Sequence, residues 1–161
     1  MRHMASLKVE IEGVEIRPLR RLRDERGWLT EVFRSDEVRT EILPAMAYVS
    51  ITHPGMSRGP HEHLRQTDMF CFVGPGEFEL RLWDNRPESP TFGNSQELRG
   101  GEEHPLVLVI PPGVVHAYKN VGRVDAMVIN FPNRLYAGNA RSEPVDEIRH
   151  EDDLMTPFKL E

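Results

Sequence analysis

Polar and apolar residues alternate along Glu77-Phe78-Glu79-Leu80-Arg81-Leu82-Trp83, the period of two that a half-buried β-strand requires. Leu106-Val107-Leu108-Val109-Ile110 is apolar throughout, as in a strand covered on both faces. Further β-rich runs occupy Ala47–Thr52, Met69–Val73 and Ala126–Phe131. Turn signals separate them: Gly74-Pro75-Gly76, Asp84-Asn85-Arg86-Pro87, Gly100-Gly101 and Pro111-Pro112-Gly113. Short strands punctuated so closely predict an all-β sandwich or barrel. Asp36–Leu43 is the one helical candidate, a turn or two long and ended by Pro44. After Phe131 the pattern dissolves into a polar tail, residues 132–161. Leu135, Tyr136, Val145, Ile148 and Phe158 give that tail anchors for wrapping back over the barrel.

No repeat, heptad pattern or low-complexity linker divides the chain, so residues 1–161 read as one domain, with about the first seven residues extraneous to it. A net charge of -6 argues against broad nucleic-acid binding, which needs a basic face. A few converging arginines can still hold an anionic ligand. No apolar stretch reaches the ~20 residues that span a membrane. The single cysteine, Cys71, suits a reducing cytoplasm and reads as a core residue in Met-Phe-Cys-Phe-Val. A cytoplasmic protein with no membrane association is expected.

The candidate chemistry lies in two segments. The first is Gly55-Met56-Ser57-Arg58-Gly59-Pro60-His61-Glu62-His63, followed by Asp68 and Gly74; the second runs from Pro111-Pro112-Gly113 through His116 to Asn120. His61 and His63 are two apart, so on one strand they face the same side. Pro-Pro-Gly makes a rigid turn that aims the imidazole of His116 from a distant part of the chain. Inward positions of a small barrel bring such groups together. The two segments resemble the paired motifs of the cupin superfamily. The second matches in full, and the first carries Asp68 where glutamate is usual. The resemblance implies a double-stranded β-helix (a jelly-roll barrel) with a short N-terminal helical turn and an irregular C-terminal tail.

A narrower resemblance is to the dTDP-4-dehydrorhamnose 3,5-epimerase family. It is carried, in order, by Asp24–Phe33, by Arg58-Gly59-Pro60-His61, by Ser89-Pro90-Thr91-Phe92-Gly93, by Pro111–His116 and by Ile148–Asp153. This implies a nucleotide-sugar epimerase or isomerase acting on a dTDP-4-keto-6-deoxyhexose-like substrate. The reaction abstracts a proton alpha to a ketone, which needs a base, a stabiliser for the enolate and an acid. The resemblance makes His61 the base and Asp152, or its neighbour Asp153, the carboxylate that orients it. It puts Arg58 near the pyrophosphate or the developing oxyanion, with His63, His116, Asn130 and Tyr136 on the substrate. Arg26 and Glu31 fall where the family contacts the nucleotide, often across the interface of a homodimer. No cofactor is implied. Asn130 stands where the family has its catalytic tyrosine, and Met69 where it has a lysine.

The gained His63 supports a second expectation. His61, His63, Asp68 and His116 match the three-histidine, one-carboxylate ligand set of metal-binding cupins, suited to a divalent transition metal. A sugar-binding cupin without turnover is a third reading. His3, His53, His104 and His150 belong to no motif and are read as surface residues. Trp83, Phe70, Phe72 and Phe78 are read as core or interface aromatics.

Overall fold

In a computed structural model, described for residues 8–160, twelve strands run through the chain. They are β1 (Glu15–Pro18), β2 (Leu22–Asp24), β3 (Gly27–Leu29), β4 (Tyr48–Thr52), β5 (Ser57–Glu62) and β6 (Asp68–Phe72). The others are β7 (Glu77–Asp84), β8 (Ser95–Gly101), β9 (Leu106–Ile110), β10 (Val114–Asn120), β11 (Ala126–Asn130) and β12 (Ile148–Arg149). One five-stranded sheet has the order β1-β9-β6-β11-β4 and the other β12-β5-β10-β7-β8, while β2 and β3 form a separate hairpin. The paired strands are antiparallel, and the fold is the jelly roll of a cupin.

The packing explains why some strands alternate and others do not. Phe70, Phe72, Leu106, Leu108 and Ile110 point between the sheets, where they meet Phe78, Leu80 and Leu82 of β7. Met69, Cys71, Val107 and Val109 point the other way and are covered by Leu19, Val32, Phe33 and Val38. β6 and β9 are therefore apolar on both faces because both faces are buried. Strand β7 is covered by apolar residues mainly on its inner face and keeps its alternation. Burying each of these large apolar side chains contributes ~1.5–3 kcal/mol.

Strand β5, Ser-Arg-Gly-Pro-His-Glu, and β8, Ser-Gln-Glu-Leu-Arg-Gly-Gly, carry no apolar alternation, and pairing with β10 and β7 holds them in their sheet. The expected helix over Asp36–Leu43 shrinks to one 3-10 turn at Thr40–Ile42, because the chain before it turns to insert Val38 against the outer face of β6 and β9. The tail returns to the barrel. β12 pairs with β5, and Phe158 packs on Trp83 with ring centroids 5.7 Å apart.

Candidate active site

Strands β5 and β10 lie side by side, and their register sets His61 opposite His116. A Cβ on Gly59 would sit 2.5 Å from the carbonyl oxygen of His116, so only glycine, here at φ 77°, permits this approach. The Gly113 N–H donates to the His63 carbonyl at 2.9 Å, tying the Pro-Pro-Gly turn to the end of the first motif. His116 then faces inward against Phe70, while its neighbours Val115 and Ala117 face the tail.

The three imidazoles cluster, with centroids 4.5 Å apart for His61 and His116, 5.9 Å for His61 and His63, and 6.1 Å for His63 and His116. Asp68 reaches them from β6 in the facing sheet. Its Oδ2 lies 3.1 Å from His63 Nε2 and 3.5 Å from His116 Nε2. Its Oδ1 accepts from the amides of Gln66 at 2.9 Å and Asn130 at 2.8 Å. The Asn130 amide also donates to the Tyr48 hydroxyl at 3.0 Å. His63 Nδ1 donates to the Asp146 carbonyl. The Asp146 carboxylate in turn accepts the N–H groups of Leu64, Arg65 and Gln66 at 3.0, 2.9 and 2.8 Å. Three converging backbone donors form a nest for one anion, so this contact clamps the tail onto the loop after β5.

Each group is tuned by its surroundings. Burial, then the neighbouring His116 and His63, push the His61 pKa down to about 2, so this ring is neutral and can accept a proton. Burial also opposes charge on His63, but the Asp68 carboxylate and the Asp146 carbonyl outweigh it and raise the pKa to about 9. His63 is thus a fixed cation at neutral pH. His116 is held neutral by burial against the pull of Asp68, and Asp68 is held ionised, despite its burial, by the His63 cation and the Asn130 hydrogen bond.

The cluster opens into a cleft of about 990 Å³. His61, His63, Arg58 and Tyr136 line it, as the sequence leads one to expect; His116, Asp68 and Asn130 lie just behind its wall. Arg58 is fixed by donating to Thr52 Oγ1 at 3.1 Å and to the Ile51 carbonyl at 2.8 Å. Asp152 is not brought to His61: it sits exposed in a 3-10 turn, His150–Asp152, while the carboxylate facing His61 is Glu147, with Oε1 4.0 Å from Nδ1. The difference arises because β12 pairs at Arg149 with His61, which brings the residues just before β12 over the ring and carries those after it away. Asp153 is exposed as well. Arg26 and Glu31 also lie outside the cleft. Arg26 pairs with Asp24 of its own hairpin at 2.5 Å, and Glu31 faces Arg34 at 3.7 Å.

Sequence reasoning missed Glu147, Asp146, Gln66 and Tyr48, none of which belongs to a recognisable motif. His150, read as a surface residue, is part-buried and pairs with Glu62 at 2.8 Å.

The donor set also fits a metal ion. One ring nitrogen of each of His61, His63 and His116 lies within 4.8 Å of the others. His116 Nδ1 donates to the Val114 carbonyl at 3.1 Å, which leaves Nε2 as an acceptor. That atom and Asp68 Oδ2 are buried, lack an aligned hydrogen bond among the described residues, and face each other. Asp68 Oδ2 also meets the His63 cation, but no donor among the described residues lies between it and His116 Nε2, and two facing acceptors at such a distance call for a proton, a water or a cation between them.

Residues 8–147 match the family model for dTDP-4-dehydrorhamnose 3,5-epimerase. Among its relatives, the "Probable low-salt glycan biosynthesis epimerase Agl13" of Haloferax volcanii is 40% identical over 127 residues, 78% of this chain and 81% of that protein. The spore coat polysaccharide biosynthesis protein SpsL of Bacillus subtilis is 32% identical over 126 residues, 78% of this chain and 82% of its own length. The crystal structure of a dTDP sugar isomerase from Desulfovibrio desulfuricans superposes with a TM-score of 0.79, at 24% identity, covering 95% of this chain and 94% of that one. ChmJ of Streptomyces bikiniensis, a 3'-monoepimerase solved with dTDP-quinovose, superposes at 0.77 and 24% identity, over 95% and 79% of the two chains. The structural likenesses establish the fold.

Proposed function

Since this chain belongs to the dTDP-4-dehydrorhamnose 3,5-epimerase family, and is thus an epimerase or isomerase, we propose that it abstracts a proton alpha to the ketone of a dTDP-4-keto-6-deoxyhexose-like sugar nucleotide. One observation carries the reading: a neutral imidazole, His61, lines a cleft large enough for such a ligand and faces the carboxylate of Glu147. An imidazole of such low proton affinity is a weak base on its own. Closure of Glu147 from 4.0 Å to hydrogen-bonding distance of Nδ1 supplies the missing basicity and leaves Nε2 as the accepting atom.

The electron pair released from the C–H bond moves onto the ketone oxygen. Arg58 and the His63 cation are fixed positive charges that line the cleft, and a charge positioned in advance stabilises an oxyanion without reorganising. His63 thereby stands in for the ammonium that Met69 cannot provide. The exposed β2–β3 hairpin, with Arg26 and Glu31, serves the nucleotide of a partner subunit in a homodimer. The names of the two relatives support a place in the supply of sugars for glycans or surface polysaccharides.

Incubation with dTDP-4-keto-6-deoxyglucose in deuterated water tests the reading. Deuterium is expected at the carbon next to the ketone, with the rate falling by ~10²–10⁴ in His61→Ala, the usual contribution of a general base. Unchanged exchange in that variant, or none in the wild type with any keto-sugar nucleotide, rejects it.

The facing acceptors Asp68 Oδ2 and His116 Nε2 favour a second reading, in which His61, His63, His116 and Asp68 hold a divalent transition metal. Such an ion would supply Lewis-acid polarisation of a bound carbonyl. Metal analysis of protein purified without chelator separates the readings: one ion per chain supports this one, and a metal-free, active enzyme excludes it.

A further inference from the structure

Inversion at a carbon requires a proton to leave one face and another to arrive at the opposite face, so a base on one wall must be answered by an acid on the other. His61 stands on β5, in the sheet ordered β12-β5-β10-β7-β8. An acid must therefore come from the facing sheet. Asn130 occupies the inward position of β11 there, but a carboxamide has no proton of suitable acidity to give. Its partner in register on the adjacent strand β4 is Tyr48, and Tyr48 lines the cleft.

We propose that Tyr48 is the catalytic acid of this enzyme, oriented by Asn130. The assignment rests on the proton-abstraction reading of the site. Asn130 Nδ2 donates to the Tyr48 oxygen at 3.0 Å and to Asp68 Oδ1 at 2.8 Å, so the amide is locked between the two. Its own oxygen accepts the Met69 N–H at 3.2 Å, which fixes which way the amide faces. The phenolic oxygen therefore receives a hydrogen bond, and its own hydrogen is left for the cleft. When that proton departs, the same amide N–H stabilises the phenolate. Burial outweighs the Asn130 hydrogen bond and raises the Tyr48 pKa to about 12, so the hydroxyl is still protonated when substrate arrives.

The step balances without a redox partner. The C–H bond on the His61 side breaks, its proton goes to the imidazole and its electron pair to the ketone oxygen. The enolate then re-forms the ketone as carbon takes the Tyr48 proton on the other face. Solvent reprotonates the phenolate and deprotonates the imidazolium.

The chain has three tyrosines, Tyr48, Tyr118 and Tyr136, and all three line the cleft, so the test must discriminate among them. With dTDP-4-keto-6-deoxyglucose in deuterated water, Tyr48→Phe is expected to keep deuterium exchange within about threefold of wild type while inversion falls at least ~100-fold. Asn130→Ala should lower inversion by about tenfold, through a lower kcat at similar KM. Inversion at the wild-type rate in Tyr48→Phe, or its loss in Tyr118→Phe or Tyr136→Phe instead, overturns the assignment. Absence of exchange in the wild type overturns the reading beneath it and the assignment together. Should Tyr48→Phe fold poorly, 3-fluorotyrosine at position 48 keeps the hydroxyl but makes it more acidic. The alkaline limb of the inversion rate should then move to lower pH; an unmoved limb counts against Tyr48.

Discussion

Two buried aspartates show how differently this molecule treats the same side chain. Asp84, at the end of β7, is 2% exposed, and its carboxylate is saturated. Arg86 donates to it from Nε and Nη2 at 2.8 Å each and from its backbone at 3.1 Å, while the hydroxyls of Ser89 and Thr91 donate at 2.5 and 2.6 Å. Asp68 is 1% exposed, yet one of its oxygens has no aligned donor and faces two imidazoles. A saturated buried carboxylate organises the chain around it. A half-satisfied one retains a capacity that something else must use, at a cost to stability.

The sharpest way to break that contrast is to remove Asp84. Asp84→Ala leaves the guanidinium of Arg86 and two hydroxyls without their acceptor and should cost ~3–5 kcal/mol, as removal of one partner from a buried pair does. Denaturant unfolding measures it. The variant that still folds should keep its turnover, because no residue of the loop from Asn85 to Asn94 lines the cleft. The contacts of Asp84 hold its pKa well below the usual carboxylate range. Its contribution to stability is therefore full above ~4 and is lost as pH falls through the depressed value. Asp84→Asn should flatten the acid limb of the stability profile.

Asp68→Asn should do the reverse. An amide can keep the hydrogen bonds on one side while surrendering the charge, so stability should fall by less than in Asp84→Ala, whereas turnover should fall by about 100-fold. A large loss of stability with retained turnover would erase the distinction between the two sites.

A smaller effect probes the ion pair directly. His63 is raised to about 9, so the stability it gains in the folded state is complete below ~6.5 and fades as pH rises through about 9. Nuclear magnetic resonance of its ring protons should show that titration in the wild type and a much lower one in Asp68→Asn. Equal values in the two proteins would mean that Asp68 is not what holds the charge.

The same contrast explains what the sequence made legible. Histidines two apart on one strand, and a Pro-Pro-Gly turn before another, are local patterns, and they placed His61, His63 and His116 in one cluster. Periodicity found β7 and β9 because burial imposes period two on a strand covered on one face and continuous apolarity on one covered on both. It could not find β5 or β8, which hydrogen bonds to neighbours hold in place. Tyr48, Gln66 and Glu147 escaped for a related reason. Their places depend on which strand pairs with which, and no spacing along the chain encodes that β4 runs beside β11 or β12 beside β5.

Glu147 and Asp152 offer the finest discrimination. Both belong to one acidic tail, and a motif-based reading favours Asp152, but the register of β12 against β5 brings Glu147 to His61 and leaves Asp152 exposed. A carboxylate that only orients and polarises a base acts less strongly than the base itself. Glu147→Gln should therefore lower the exchange rate by about tenfold, with kcat falling more than the affinity for substrate. Arg149, whose Nε pairs with Glu147 at 2.8 Å, holds that carboxylate in turn, so Arg149→Met should reproduce part of the loss. Asp152→Asn should change the rate by less than about twofold, the ordinary effect of losing one exposed charge. If Asp152→Asn proves the more damaging, the tail adopts a different register when substrate binds, and the partner of His61 lies four residues beyond β12 Ile148 rather than one before it.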